Sequence, residues 1–103
     1  MKRANSFLFH EKLKNLGFTQ KEIRILRETS RIPKGKTLTY GEVAERAGMK
    51  NCARFAGNVL SNNPFPILIP CHRVVAKTGI GGYSGKGGIK RKKELLKKEG
   101  IKI

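Results

Sequence analysis

Pro64, Pro66 and Pro70 fall within one short stretch, and they settle what the middle of this chain cannot be. Proline has no N–H to give a helix or a central strand, and it pushes the residue before it out of the helical region. Asn62-Asn63-Pro64-Phe65-Pro66 therefore reads as a rigid, non-helical elbow, and Ile67-Leu68-Ile69 beyond it as a short buried strand. That strand leads into Pro70-Cys71-His72-Arg73-Val74-Val75. Neighbouring side chains on a regular strand point to opposite faces, so Cys71 and His72 can cooperate only where the backbone bends sharply, which Pro70 favours. A cysteine is a strong nucleophile as the thiolate, and an adjacent imidazole or a positive field is the usual means of forming that anion. An inert thiol at a strand end is the plainer reading, but the surroundings of this run favour chemistry.

Two helix starts precede the elbow. Thr19-Gln20-Lys21-Glu22 has the form of a capping box, opening a helix with Ile23, Leu26 and Ile25 inward and broken at Pro33-Lys34-Gly35. Thr39-Tyr40-Gly41-Glu42 repeats the pattern, for a helix burying Val43, Ala44 and Ala47 and stopping at Gly48. Asn51 is placed to cap a third helix from about Cys52 to Ser61, and the two short helices outline a helix-turn-helix. Ala53, Ala56 and Gly57 let the third helix approach another surface, with Arg54 projecting among them, which suits a nucleic-acid groove as well as internal helix packing. Before all of these, Phe7, Leu8, Phe9, Leu13 and Leu16 form a small amphipathic patch.

After the elbow, Thr78 to Gly85 is a glycine-rich loop carrying Tyr83 and Ser84, without the spacing of a nucleoside-triphosphate loop. A last helix from Ile89 to about Glu99 is expected to turn Ile89, Leu95 and Leu96 to the core. Lys90, Arg91, Lys92, Lys93, Lys97 and Lys98 are left as a solvated basic surface.

Charge narrows the partner. Lys and Arg number 23 against 7 acids, for a net charge of +16. All the acids are glutamates, so no aspartate is available for catalysis or metal binding. A Lys-rich thermophilic surface would match its lysines with glutamates, whereas this imbalance suits a polyanion, nucleic acid ahead of a membrane. No stretch has the length of a membrane span or the pattern of a signal peptide, so a cytoplasmic, DNA-associated monomer is expected. Cys52 and Cys71 lack zinc-site spacing and are read as thiols in a reducing compartment, with no metal and no cofactor.

Tyr40 within Leu38-Thr39-Tyr40-Gly41-Glu42-Val43-Ala44, Arg54 within Ala53-Arg54-Phe55-Ala56-Gly57, Asn63-Pro64, Pro70-Cys71-His72-Arg73-Val74-Val75, Gly82-Tyr83-Ser84-Gly85 and Glu99-Gly100 occur here in this order. Together they resemble the O6-alkylguanine-DNA alkyltransferases. The similarity covers Phe18 to Gly100, the family's C-terminal active-site domain, leaving residues 1–17 as a short extension to a domain over 18–103. The resemblance implies a mainly α fold with a short β hairpin or strand element, built on a winged-helix-like helix-turn-helix. It implies DNA repair by direct reversal: an alkylated guanine in duplex DNA is flipped out and its O6-alkyl group passes irreversibly to cysteine, one turnover per molecule. O4-alkylthymine is a second substrate of that type. By position, Cys71 is the acceptor, His72 its base acting through a water, Glu99 the group orienting His72, and Asn63 the brace of the turn. Tyr40, Val74, Tyr83, Ser84 and Pro66 are placed around the base. Arg54, Tyr40, Ala53, Ala56 and Gly57 are placed on the DNA, with Arg54 filling the gap in the stack. Phe55 and Asn58 stand where the family carries smaller residues. The alternative is a non-enzymatic relative that flags lesions for excision repair, but such proteins replace the reactive cysteine, typically with tryptophan, and this chain keeps Cys71 and has no Trp.

Overall fold

The computed structural model describes residues 2–65, 68–83 and 87–101, with side chains from residue 9 onward. Helix α1 (Lys2–Asn15) packs on α2 (Gln20–Ser30) through the fully buried Leu13, with Phe9 at the edge of the core. Of the rest of the N-terminal patch, the side chains of Phe7 and Leu8 lie outside the described residues. Leu16 is 55% exposed, because the helix has ended at Asn15 and the chain is turning through Gly17.

The capping box of α2 forms as its sequence requires. The Thr19 hydroxyl accepts the Glu22 N–H at 3.2 Å and the Glu22 carboxylate accepts the Thr19 N–H at 2.8 Å. Ile23, Ile25 and Leu26 are all buried, since α2 is covered by α1 on one side and by the next two helices on another. The second box, at Thr39 and Glu42, opens α3 (Tyr40–Arg46) in the same way. Gly48 closes α3 with φ +86°, while the N–H groups of Gly48 and Met49 return to Glu45 and Ala44, satisfying carbonyls that the helix end leaves over.

One expectation fails in the turn that follows. Asn51 does not cap α4 (Ala53–Ser61); the cap position is Cys52, which makes no side-chain cap bond. Asn51 instead adopts φ +57°, a left-handed conformation that asparagine tolerates better than most residues, and this reverses the chain between α3 and α4. Val43 and Ala44 of α3 meet Ala56, Val59 and Leu60 of α4 in the core.

As expected, the β part is a short element, a two-stranded sheet among the described residues. β1 (Leu38–Thr39) and β2 (Val74–Val75) pair in parallel, Leu38 on Val74 and Thr39 on Val75, so the sheet is not a hairpin. A parallel pair needs a crossover, and α3 and α4 supply it. Ala76 and Gly79 form an antiparallel bridge. Ile67-Leu68-Ile69 is not a buried strand: Ile67 lies outside the described residues, Leu68 is 74% exposed in a turn, and Ile69 alone is enclosed. Asn63 closes this segment locally. The Asn63 amide donates to Ile69 O at 2.9 Å while its carbonyl oxygen accepts the Phe65 N–H at 2.9 Å.

The last helix, α5 (Gly88–Lys98), buries Leu96 and half-buries Leu95, but Ile89 is 49% exposed. The buried position one turn along is Lys92, which composition assigned to the solvated face.

Candidate active site

The sharp bend expected at Cys71 is built from two consecutive tight turns. Pro70 has φ −76° and ψ 67°, and the Cys71 N–H reaches back to Ile69 O at 2.7 Å, which is an inverse γ-turn centred on the proline. Cys71–Arg73 then form one turn of 3₁₀ helix, with the Arg73 N–H on Pro70 O at 2.9 Å. The result puts Cys71 and His72 on the same compact turn, buried to 5% and 2% exposure.

Cys71 lines a cavity of about 270 Å³ whose other walls include Tyr40, Gly57, Leu60 and Tyr83. An outer hollow of about 500 Å³ shares Tyr40 and Gly57 with it and is lined by Ala53, Arg54, Asn58 and Lys77. Tyr40 thus stands between the cysteine and the exposed face of α4. Its position is fixed twice over: Thr39 is both the partner of Val75 in the sheet and the cap of the helix that Tyr40 begins. The glycine loop closes on the same ring. At Gly81, φ is +75° and an added Cβ would lie 2.8 Å from the Tyr40 hydroxyl, so only glycine lets the backbone pass there. Burial raises the Tyr40 pKa, assisted by negative charge at Cys71, so its phenol keeps its proton more firmly. Burial and Cys71 raise that of Tyr83 likewise.

Behind the cysteine, His72 Nε2 lies 2.9 Å from a Glu99 oxygen. Arg73 lowers the Glu99 pKa to about 2, with His72 adding to the effect against the cost of burial. An ionised carboxylate only accepts hydrogen bonds, so Nε2 carries a proton, and in the neutral ring Nδ1 keeps the lone pair. Nδ1 is buried and has no hydrogen-bond partner among the described residues. A buried, unpaired ring nitrogen next to a cysteine has the form of a base awaiting a proton.

The remaining sequence-designated residues divide clearly. Asn63, 8% exposed, braces the segment entering the cysteine turn. Val74 is fully buried, and its carbonyl already accepts a hydrogen bond. Arg54, Ala53 and Gly57 lie along the outer hollow. Ala56 does not join them: it is fully buried with Val59 and Leu60, because it sits on the opposite side of α4 from the exposed Arg54. Ser84 and Pro66 lie outside the described residues. The sequence missed Lys92. Its ammonium donates to Val74 O at 2.6 Å and Gly82 O at 2.8 Å and lies 5.7 Å from the Tyr40 ring centre, so it ties β2 to the glycine loop. Burial lowers its pKa to about 8, opposed by negative charge at Cys71. The available signal was position: Lys92 falls three residues before Leu95 and four before Leu96, on the apolar side of α5. Among the described residues no three His, Cys, Asp or Glu side chains gather as a metal site would need.

The family described as "6-O-methylguanine DNA methyltransferase, DNA binding domain" matches residues 20–101 of the chain. A methylated-DNA--protein-cysteine methyltransferase of Methanothermobacter thermautotrophicus is 51% identical over 88 residues, covering 84% of this chain and 48% of the relative. The chain therefore spans about half the length of such curated relatives. Among solved structures, Mycobacterium tuberculosis OGT in complex with DNA has a TM-score of 0.75 and 40% identity, over 80% of this chain and 50% of that one. Atl1 of S. pombe, in complex with damaged DNA containing O6-carboxymethylguanine, has a TM-score of 0.66 and 31% identity, over 82% of this chain and 79% of that one.

Proposed function

The chain belongs to the family of the 6-O-methylguanine DNA methyltransferase DNA-binding domain, and on that premise we propose that it repairs alkylated DNA by taking the alkyl group onto Cys71. The observation that carries the reading is the cavity that joins Cys71 to Tyr40 and Tyr83, backed by His72 and Glu99. The His72 Nδ1 lone pair accepts the thiol proton through a bridging water. The sulfur then attacks the alkyl carbon: the S–C bond forms, the C–O6 bond breaks, and its electron pair stays on the guanine. Tyr40, whose phenol resists ionisation, stabilises that charge by donating a hydrogen bond to the leaving base. The product is a thioether, and no group among the described residues of the cavity can cleave it, so each molecule acts once.

A cavity of about 270 Å³ sits just below the usual span of ligand pockets, about 300–1,000 Å³, and suits one flat base with a small substituent. Such a base reaches it only by leaving the helix, at a cost of a few kcal/mol. Arg54, on the outer hollow beside Tyr40, is placed to fill the gap it leaves, and Ala53 and Gly57 allow the close approach of α4. The double-stranded DNA partner, the site roles of Cys71, His72, Glu99, Asn63, Tyr40, Val74, Tyr83, Ser84 and Pro66, and a reactive domain over residues 18–103 all form part of this proposal.

Incubation with duplex containing O6-methylguanine should add one methyl mass to the peptide bearing Cys71, and Cys71→Ala should remain unmodified. An unchanged mass with no preference for the lesion would sink the proposal. Tight lesion binding with an unchanged mass would replace it with the damage-flagging alternative, which similarity to Atl1 keeps in view.

A further inference from the structure

The buried cluster behind Cys71 contains one more group than the reaction above employs. Arg73 meets Glu99 edge to edge, Nε on one oxygen at 2.8 Å and a terminal nitrogen on the other at 2.7 Å. Its remaining terminal nitrogen donates to Ile32 O at 2.8 Å. The oxygen that takes the terminal nitrogen is the one that also accepts from His72. Glu99 caps the C-terminal end of α5, the pole of a helix that disfavours a carboxylate, and its neighbours Lys97 and Lys98 are exposed. Left to itself, this side chain has more to gain from turning out toward those ammonium groups than from staying inside.

We propose that Arg73 is a positioning residue for the base: its planar fork, itself fixed by the Ile32 carbonyl, holds the Glu99 carboxylate in the one plane that keeps the proton of His72 on Nε2 and leaves Nδ1 open toward the chemistry. A lysine cannot substitute for this geometry, because one ammonium cannot bridge two carboxylate oxygens and a carbonyl in a fixed plane. Arg73 acts through Glu99. The depressed pKa of Glu99, caused first by Arg73, accords with that dependence.

The test pairs NMR of isotope-labelled His72 ring nitrogens with single-turnover kinetics in wild type, Arg73→Met, Arg73→Lys, Glu99→Gln and the Arg73→Met/Glu99→Gln double variant. Wild type should show the Nε2–H tautomer, and both Arg73 variants a mixture of tautomers. Arg73→Met should slow methyl transfer by roughly tenfold or more, within the range of a general base's contribution. The double variant should be no slower than the slower single, because both act on one imidazole. Binding to undamaged duplex should be unchanged, since the outer hollow is untouched. Unchanged nitrogen signals in a folded Arg73 variant, or losses that multiply in the double variant, would overturn the proposal. If Arg73→Met does not fold, Arg73→Lys decides: a wild-type tautomer and wild-type rate there would refute a role for the fork. The kinetic arm alone rests on the alkyl-transfer reading. A wild type that moves no methyl group refutes that reading, while the nitrogen signals still judge Arg73.

Discussion

Lys92 exchanges water for two carbonyl oxygens and a phenol ring, and that exchange leaves a signature in pH. Its amine releases a proton near pH 8 in the folded protein, against 10.5 ordinarily. Between those values the unfolded chain binds more protons, so the Lys92 contribution to stability rises with pH across the window. Urea midpoints measured from pH 8 to 10.5 should climb further for wild type than for Lys92→Met. Equal slopes would mean that the amine is not enclosed in solution. Glu99 runs the other way. With a pKa lowered from 4.5 to about 2, it supports the fold fully above pH 4.5 and less and less as pH falls toward 2. Glu99→Gln should remove that acid-sensitive component, read as a shallower fall in thermal midpoint over the same interval. Neither environment was written in the sequence. A lysine on a basic helix looks solvated until its buried partners are known, whereas Glu99 was pointed to by position, through the resemblance to the alkyltransferases.

Short-range rules governed the helices well. Both capping boxes formed because the partners are three residues apart and need no tertiary help, and the bend at Cys71 followed from a proline whose own dihedral angles define the turn. Expectations failed where a neighbour far along the chain decides. The parallel pairing of Thr39 with Val75 depends on the crossover, and the exposure of Leu68 and Ile89 and the inward face of Ala56 follow from how their segments sit against the core. The two caps also separate stability from chemistry. Thr19→Ala and Thr39→Ala should each cost about 1 kcal/mol in chemical denaturation. Only Thr39→Ala should also slow methyl transfer to Cys71, because Tyr40 is the next residue. Equal transfer rates in the two variants would show that Tyr40 is held by other contacts.

Across the whole molecule, a net charge of +16 acts at long range, and affinity for undamaged duplex should fall steeply with salt. The logarithmic slope should be about −0.9 for each phosphate engaged. Replacing Lys77, which is exposed on the outer hollow, with glutamine should reduce that slope by about 1 with little change in lesion preference. A slope that does not respond would place the DNA on a different face. Charge, helix order and the cysteine turn were thus legible from residues alone, while the orientation of the two halves about their shared strands was not.

Those strands have a mechanical corollary. Two rungs of ladder cannot persist by themselves in water. A break engineered in the exposed turn around Leu68 would yield an N-terminal fragment carrying Tyr40 and a C-terminal fragment carrying Cys71, each with half a ladder and neither with a complete chamber. Reactivity should return only on mixing, with the fragments zipped together by four residues and the helices that surround them.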